Sequence, residues 1–286
     1  MKPDDVKAVG VVGCGIMGSG IVEVLSRAGA QVVYLEANAE LVAAGRARIE
    51  SSMAKAAARG RLSEEERDAA LARVRGTTDV AELADVDLVI EAATEDLDAK
   101  RSVFARLDEL TRPEVVLATN TSSLPIADVA SATGRPDKVI GMHFFNPPPV
   151  MKLLELVPSI STSDETLEFA RAYGEHLGKT TVLSKDRAGF IVNMLLIPYL
   201  NAAVRMLDEG FATREDIDAA INLGLGHPMG PLALIDLIGV DTHMHVANVL
   251  YEEYGEPLYA PPPLLKRMVA AGRLGRKSGR GFYEYG

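Results

Sequence analysis

A run of mostly β-branched residues, Val6 to Val12, ends at Gly13-Cys14-Gly15-Ile16-Met17-Gly18 and leads into helical sequence, Ile16 to Ala28, that stops at Gly29. No other segment limits the fold as strongly. The first glycine of such a set permits a tight turn after a strand, the second lets backbone approach an anion, and the third lets the helix pack close to the sheet. Gln31–Leu35 then reads as a second strand, closed by Glu36. A bare G-x-G-x-x-G is weak evidence, but strand, turn, helix, strand and acidic residue together make a dinucleotide fingerprint. Gly13, Gly15 and Gly18, with Ile16 and Met17 in the first helical turn, are expected to cradle a pyrophosphate on backbone amides and the helix dipole. Glu36 is expected to accept hydrogen bonds from the adenosine ribose. A carboxylate there repels a 2′-phosphate, and Ala37-Asn38-Ala39 supplies no arginine, so NAD is expected over NADP. Cys14, with no base in view, reads as a structural thiol.

Downstream the pattern departs from a plain alternating unit. Asn38 to about Arg59 reads as one long helix broken by Gly60, and Ser63-Glu64-Glu65-Glu66 is a capping box opening another helix to about Arg73. This is a helical hairpin inserted where a single crossover helix would suffice. Alternation then resumes. Strands are expected at Asp87–Ala92, Val115–Thr119, Lys138–His143, Leu153–Val157 and Thr180–Leu183, with helices at about Asp96–Leu110, Pro125–Ala132 and Asp164–Leu177. From Ala188 onward only helices are expected: Phe190–Glu209, Thr213–Asn222, Pro231–Asn248 and Pro263–Ala271. The fold class is therefore α/β, a Rossmann-type doubly wound sheet with an inserted helical hairpin, followed by an all-α C-terminal domain. The boundary falls near Asp186, giving domains 1–186 and 187–286.

Bulk properties narrow the function. The 286 residues are 48% hydrophobic and 24% charged, an ordinary globular composition, and the net charge of −10 carries no basic block of the kind nucleic acid requires. A single cysteine excludes an intrachain disulfide and suits a reducing cytoplasm. The N-terminus lacks the shape of a signal peptide, and the apolar run Val192–Leu200, interrupted by Asn193 and Pro198, is too short to span a membrane. His227, His243 and His245 have no acidic or cysteine cluster about them and read as packing or surface residues, so no metal is expected. Arg27 and Arg46 read as solvated. The apolar positions Met206-Leu207 and Leu223–Leu225 read as core or subunit interface.

Several later motifs carry a resemblance. Asn120-Thr121-Ser122-Ser123-Leu124, His143-Phe144-Phe145-Asn146-Pro147, Met151-Lys152-Leu153-Leu154-Glu155, Gly189-Phe190-Ile191-Val192-Asn193, Gly226-His227-Pro228-Met229-Gly230-Pro231 and the terminal Lys277-Ser278-Gly279-Arg280-Gly281-Phe282-Tyr283 occur in one order. Together they resemble the 3-hydroxyacyl-CoA dehydrogenase family over nearly the whole chain. The short bacterial 3-hydroxybutyryl-CoA dehydrogenases are similar in length and layout. The resemblance implies that His143 is the general base for a 3-hydroxyl group, and that Glu155 holds the imidazole and stabilises its charged form. It also implies that Ser122 and Asn193 hydrogen-bond the substrate oxygens. Asn193 comes from the helical domain and the other three from the first domain, so the reaction is expected in the cleft between them. Glu95, Lys100, Asn146 and Lys277 match cofactor-side positions. In the family the inserted hairpin contacts coenzyme A, and Ser52, Lys55 and Arg59 match or neighbour those contacts, on one helix face. A homodimer through the C-terminal domain is also implied.

Two readings compete with a dehydrogenase of acyl-CoA. One is a dehydrogenase of a free hydroxy acid or sugar acid, which would make no use of the cations Lys55 and Arg59. The other is a non-catalytic NAD-binding regulator, against which the intact set Ser122, His143, Glu155 and Asn193 speaks. Ser122 has a plainer reading too, as the cap of the helix near Pro125. Departures from the family pattern are small: Cys14 stands where alanine or glycine is common, and Asp96 where an amide is common.

Overall fold

The computed structural model describes residues 2–286 and divides into two compact units, the first ending at Arg187 and the second running from Ala188 to Gly286. The first unit opens as the glycine pattern requires, with β1 (Ala8–Val12), α1 (Ile16–Arg27) and β2 (Gln31–Leu35). The hairpin follows as α2 (Ala39–Ala58) and α3 (Glu64–Ala72). Asn38 caps α2 by accepting from the Leu41 amide at 2.9 Å. Ser63 and Glu66 exchange both bonds of the capping box, at 3.1 and 2.8 Å. At 1.5 Å per residue, the 20 residues of α2 extend about 30 Å. One face is anchored by Ile49 and Met53 in the sheet core, while the other faces solvent.

A strand that the sequence pattern does not announce comes next, β3 (Val74–Thr77). It contains an arginine and a glycine and is formed by pairing, in parallel register with β2 from Val32↔Val74 to Leu35↔Thr77. Gly76 is required there: a Cβ would lie 2.5 Å from the Tyr34 ring, whose hydroxyl reaches across to the Val42 carbonyl. Arg46 ties the hairpin to this edge by donating to the carbonyls of Leu71 and Val74, so it is not the solvated residue the sequence suggested.

The remainder of the unit is β4 (Leu88–Glu91), α4 (Leu97–Leu110), β5 (Val116–Thr119), α5 (Ile126–Ala130), β6 (Val139–Phe144), β7 (Leu153–Pro158), α6 (Asp164–His176) and β8 (Thr180–Leu183). The eight strands form one sheet in the order β3-β2-β1-β4-β5-β6-β7-β8, parallel except for the β6–β7 pair. Strand order reverses between β1 and β4, and the crevice beyond their carboxyl ends is where open α/β sheets bind ligands.

The second unit holds α7 (Val192–Asp208), α8 (Arg214–Leu225), α9 (Pro231–Ile238), α10 (Val240–Tyr254) and α11 (Pro263–Ala270) around Leu200, Val204, Leu232, Ile235 and Leu265. The single helix expected over Pro231–Asn248 is broken at Gly239, whose φ of 104° no helix accommodates. Asp218 caps α9 through the amides of Leu232 and Ala233. Buried Asp236 pins the C-terminal segment through the amides of Phe282 and Tyr283. Among the described residues, no helix is long and apolar enough to cross a membrane.

Candidate active site

Each glycine of the fingerprint meets a distinct constraint. Gly13 has φ 88°, and a Cβ on it would lie 2.6 Å from the Ala93 backbone; a Cβ on Gly18 would collide with the Gly13 carbonyl. Gly15 faces open space and forms the N-cap of α1, where no side chain caps the helix, so the first-turn amides of Ile16 and Met17 are presented outward. This is a cradle for a pyrophosphate: closed below by steric contact, open above, and lined by a helix N-terminus. Glu36 stands beside it, accepting from the Cys14 amide at 2.5 Å and lining a pocket of about 420 Å³ with Leu35, Asp79 and Val80. One carboxylate thus holds the glycine loop in shape at the place where the adenosine ribose is expected. The Cys14 thiol is buried under Gly45 of α2, and burial followed by the charge of Glu36 pushes its pKa up to about 12, which makes it unreactive.

His143 and Glu155 face each other across the antiparallel β6–β7 pair, in direct register. His143 Nδ1 lies 2.7 Å from Glu155 Oε2, with both side chains buried. Directly opposed residues are the closest neighbours a sheet provides, so twelve residues of sequence separation collapse into one hydrogen bond. The Phe145 ring packs at 4.5 Å from the imidazole. His143 sits at the carboxyl end of β6, on the same edge of the sheet as the glycine loop. Asn120, at the end of β5, accepts from the Phe144 amide at 2.8 Å and fixes the strand end.

Between these two groups lies a carboxylate hub. Glu95 Oε1 accepts from the Thr121, Ser122 and Ser123 hydroxyls and from the Ser122 and Ser123 amides, at 2.7 to 3.1 Å. Burial alone would raise the Glu95 pKa, but Lys100 and these donors outweigh it and hold the carboxyl below the usual range. Ser122 is therefore held by Glu95. It does not cap α5; that cap is Asp186, which accepts from the Ile126 and Ala127 amides at 2.7 and 2.8 Å. The Lys100 ammonium is 2% exposed and lies 2.6 Å from Glu91 Oε2 and 3.7 Å from Glu95. Glu91 is fully buried and also accepts from the Ala93 amide and the Thr119 hydroxyl.

Asn146 is exposed on the loop after β6. Pro148 of that loop rests against Gly20 of α1, and the Lys179 ammonium donates to the Pro148 and Met151 carbonyls at 2.5 and 2.8 Å. On the hairpin, Ser52, Lys55 and Arg59 line one pocket of about 380 Å³, closed opposite by Arg27, Pro147 and Pro149. In the second unit Asn193 occupies the first turn of α7, and Lys277 pairs with Asp241 at 2.6 Å.

Comparison with known families covers nearly the whole chain. A family model described as "3-hydroxyacyl-CoA dehydrogenase, NAD binding domain" matches residues 8–187, and one described as "3-hydroxyacyl-CoA dehydrogenase, C-terminal domain" matches residues 189–285. The chain belongs to the 3-hydroxyacyl-CoA dehydrogenase family. A 3-hydroxybutyryl-CoA dehydrogenase of Mycobacterium tuberculosis is 53% identical over 99% of both chains. Among solved structures, FadB2 of M. tuberculosis superposes with a TM-score of 0.97 at 51% identity, covering 98% of this chain and 99% of that one. The (S)-3-hydroxybutyryl-CoA dehydrogenase PaaH1 of Ralstonia eutropha superposes with a TM-score of 0.92 at 44% identity, with the same coverage.

As a member of this family the protein is an NAD-dependent oxidoreductase that interconverts 3-hydroxyacyl-CoA and 3-oxoacyl-CoA. For this dehydrogenase, reading the sequence alone overlooks Glu91, whose signal is a carboxylate closing the otherwise apolar strand Leu88-Val89-Ile90. It also overlooks Lys179 and Asp186. Nothing in their local sequence sets these apart, because each acts on a segment distant in the chain.

Proposed function

We propose that this dehydrogenase acts on short-chain substrates, interconverting L-3-hydroxybutyryl-CoA and acetoacetyl-CoA, with His143 as the base. The observation that carries the base assignment is the buried cross-strand pair of His143 and Glu155 on the crevice edge of the sheet, and relatives named 3-hydroxybutyryl-CoA dehydrogenase support the short chain. Bound NAD supplies the hydride acceptor for oxidation, and NADH the donor for reduction. Glu155 engages Nδ1, which supports Nε2 as the proton-handling nitrogen. In oxidation Nε2 takes the proton of the 3-hydroxyl, and Glu155 stabilises the imidazolium that results; in reduction the same nitrogen returns it. Ser122, oriented by Glu95, and Asn193 align the substrate oxygens. Gly13, Gly15, Ile16, Met17, Gly18, Glu36, Glu95, Lys100, Asn146 and Lys277 serve the cofactor, with Lys100 acting through its pairs with Glu91 and Glu95. Ser52, Lys55 and Arg59 serve coenzyme A. The domains are 1–186 for NAD and 187–286 for substrate and dimer contacts. The setting is the cytoplasm, which suits a lone buried thiol.

Oxidation of NADH with acetoacetyl-CoA, run beside NADPH and beside free acetoacetate, tests the reading. Turnover confined to NADH and the thioester is expected. Equal turnover of free acetoacetate would overturn the coenzyme A assignment, and preference for NADPH would overturn the role of Glu36.

A further inference from the structure

The hairpin pocket contains more charge than Ser52, Lys55 and Arg59 account for. Its lining also includes Arg61, from the turn after α2, and Arg27, from the last turn of α1. Four cations thus surround one cavity in a chain whose net charge is −10. Among the described residues, no carboxylate pairs with Lys55, Arg59 or Arg61. The one acid in the lining is Glu23, 1% exposed, which binds Arg27 Nη1 at 3.1 Å through Oε1 and has no partner on Oε2. A guanidinium has five N–H donors. Glu23 therefore anchors the Arg27 head beside the cavity and leaves most of its donors for something else.

The positions divide by chemistry. Lys55 and Arg59 are one turn apart on α2, a spacing that follows an extended bridge. Arg27 and Arg61 come from separate elements, α1 and the α2–α3 turn, and both line the cavity. Two guanidinium forks carried on separate elements suit a compact dianion better than an extended chain, because each fork donates in a plane to a pair of phosphate oxygens. Coenzyme A carries one such group, the 3′-phosphomonoester of its adenosine; its other phosphates form the diphosphate bridge. The pantetheine arm that holds the reacting thioester carries no charge and needs none of these cations.

We propose that Arg27 and Arg61 form a clamp for the 3′-phosphate of coenzyme A, making this enzyme selective for the complete coenzyme over its 3′-dephosphorylated form. The clamp rests on the reading of the hairpin as the coenzyme A site. Glu23 is a positioning residue that holds Arg27 at the rim.

Steady-state reduction of acetoacetyl-CoA, acetoacetyl-3′-dephospho-CoA and acetoacetyl-pantetheine by the wild type, Arg61→Ala and Arg27→Ala separates the possibilities. Arg27→Ala strands the buried Glu23 carboxylate, so Glu23→Gln with Arg27→Ala is measured beside it. Wild type is expected to show its lowest KM with the complete coenzyme. Each arginine variant should raise that KM by roughly tenfold, the scale of a lost charge-assisted hydrogen bond, at unchanged kcat and with the KM of the pantetheine ester unmoved. Arg61→Lys should recover part of the loss. Equal wild-type KM values for all three thioesters would overturn the hairpin as the coenzyme A site, and the clamp with it. A wild-type preference for the 3′-phosphate that neither arginine variant reduces, or a KM raised equally for all three thioesters, would overturn the clamp alone.

Discussion

His143 and Glu155 show how little of a catalytic pair is visible along the chain. The strand periodicity of the two segments is plain, but that residue 143 meets residue 155 depends on the hairpin register. Replacing His143 with Gln keeps a donor and removes the base, so turnover of acetoacetyl-CoA should fall by roughly 10²- to 10⁴-fold. The variant's unchanged circular dichroism would show that the loss is chemical; near-full activity would remove His143 from its role. The buried ion pair of Lys100 and Glu91 offers a second measurement. Lys100→Met leaves Glu91 charged, buried and without its cation, which should cost about 3–5 kcal/mol in urea denaturation. Adding Glu91→Gln removes that stranded charge and should restore most of the loss. If the double variant is no more stable than the single, a stranded Glu91 charge is not the source of the loss.

Helices α7 and α10 of the second unit are joined by His243, which is 1% exposed and shares a 3.0 Å contact between Nε2 and the Asn201 side-chain oxygen. Nδ1 has no partner. Burial lowers the His243 pKa from 6.5 to about 4. Below pH 6.5 the unfolded chain takes up a proton that the native one refuses until about pH 4. The stability this histidine permits is therefore complete above about 6.5 and declines as pH falls toward 4, by about 3 kcal/mol in all. His243→Gln keeps a donor for Asn201 and should flatten the dependence of Tm on pH across that window. An unchanged slope would place the acid sensitivity elsewhere. Glu95 acts at lower pH, and its pKa is shifted in the same direction. Its depressed pKa contributes stability above the ordinary carboxylate range that is lost as pH falls through the native value, so Glu95→Gln should lose less Tm than wild type on acidification below about 4.

For the assembled protein, the second unit leaves Phe211, Leu223 and Leu225 largely exposed, at 76%, 87% and 63%. The proposed homodimer gives these side chains a place to go. Sedimentation of the wild type should show a dimer, and Leu223→Glu should shift it toward monomer. A wild type that sediments as a monomer at all concentrations tested would exclude the homodimer.

Local chemistry carried most of the architecture. The glycine turn, the capping box Ser63–Glu66 and the Asn38 cap each act within four residues, so each is legible where it stands. The α/β alternation, the inserted hairpin and the change to helices are also legible, because burial imposes its period on neighbouring residues. Motif order then identified the family, and with it the residues expected at the site. Only the folded chain decided what depends on pairing at a distance: β3 as an edge strand beside Tyr34, and Ser122 held by Glu95 while Asp186 caps α5. In each case a buried polar or ring group must find its partner in space. Which partner is nearest is set by strand register and helix packing, across 27 to 60 residues of sequence.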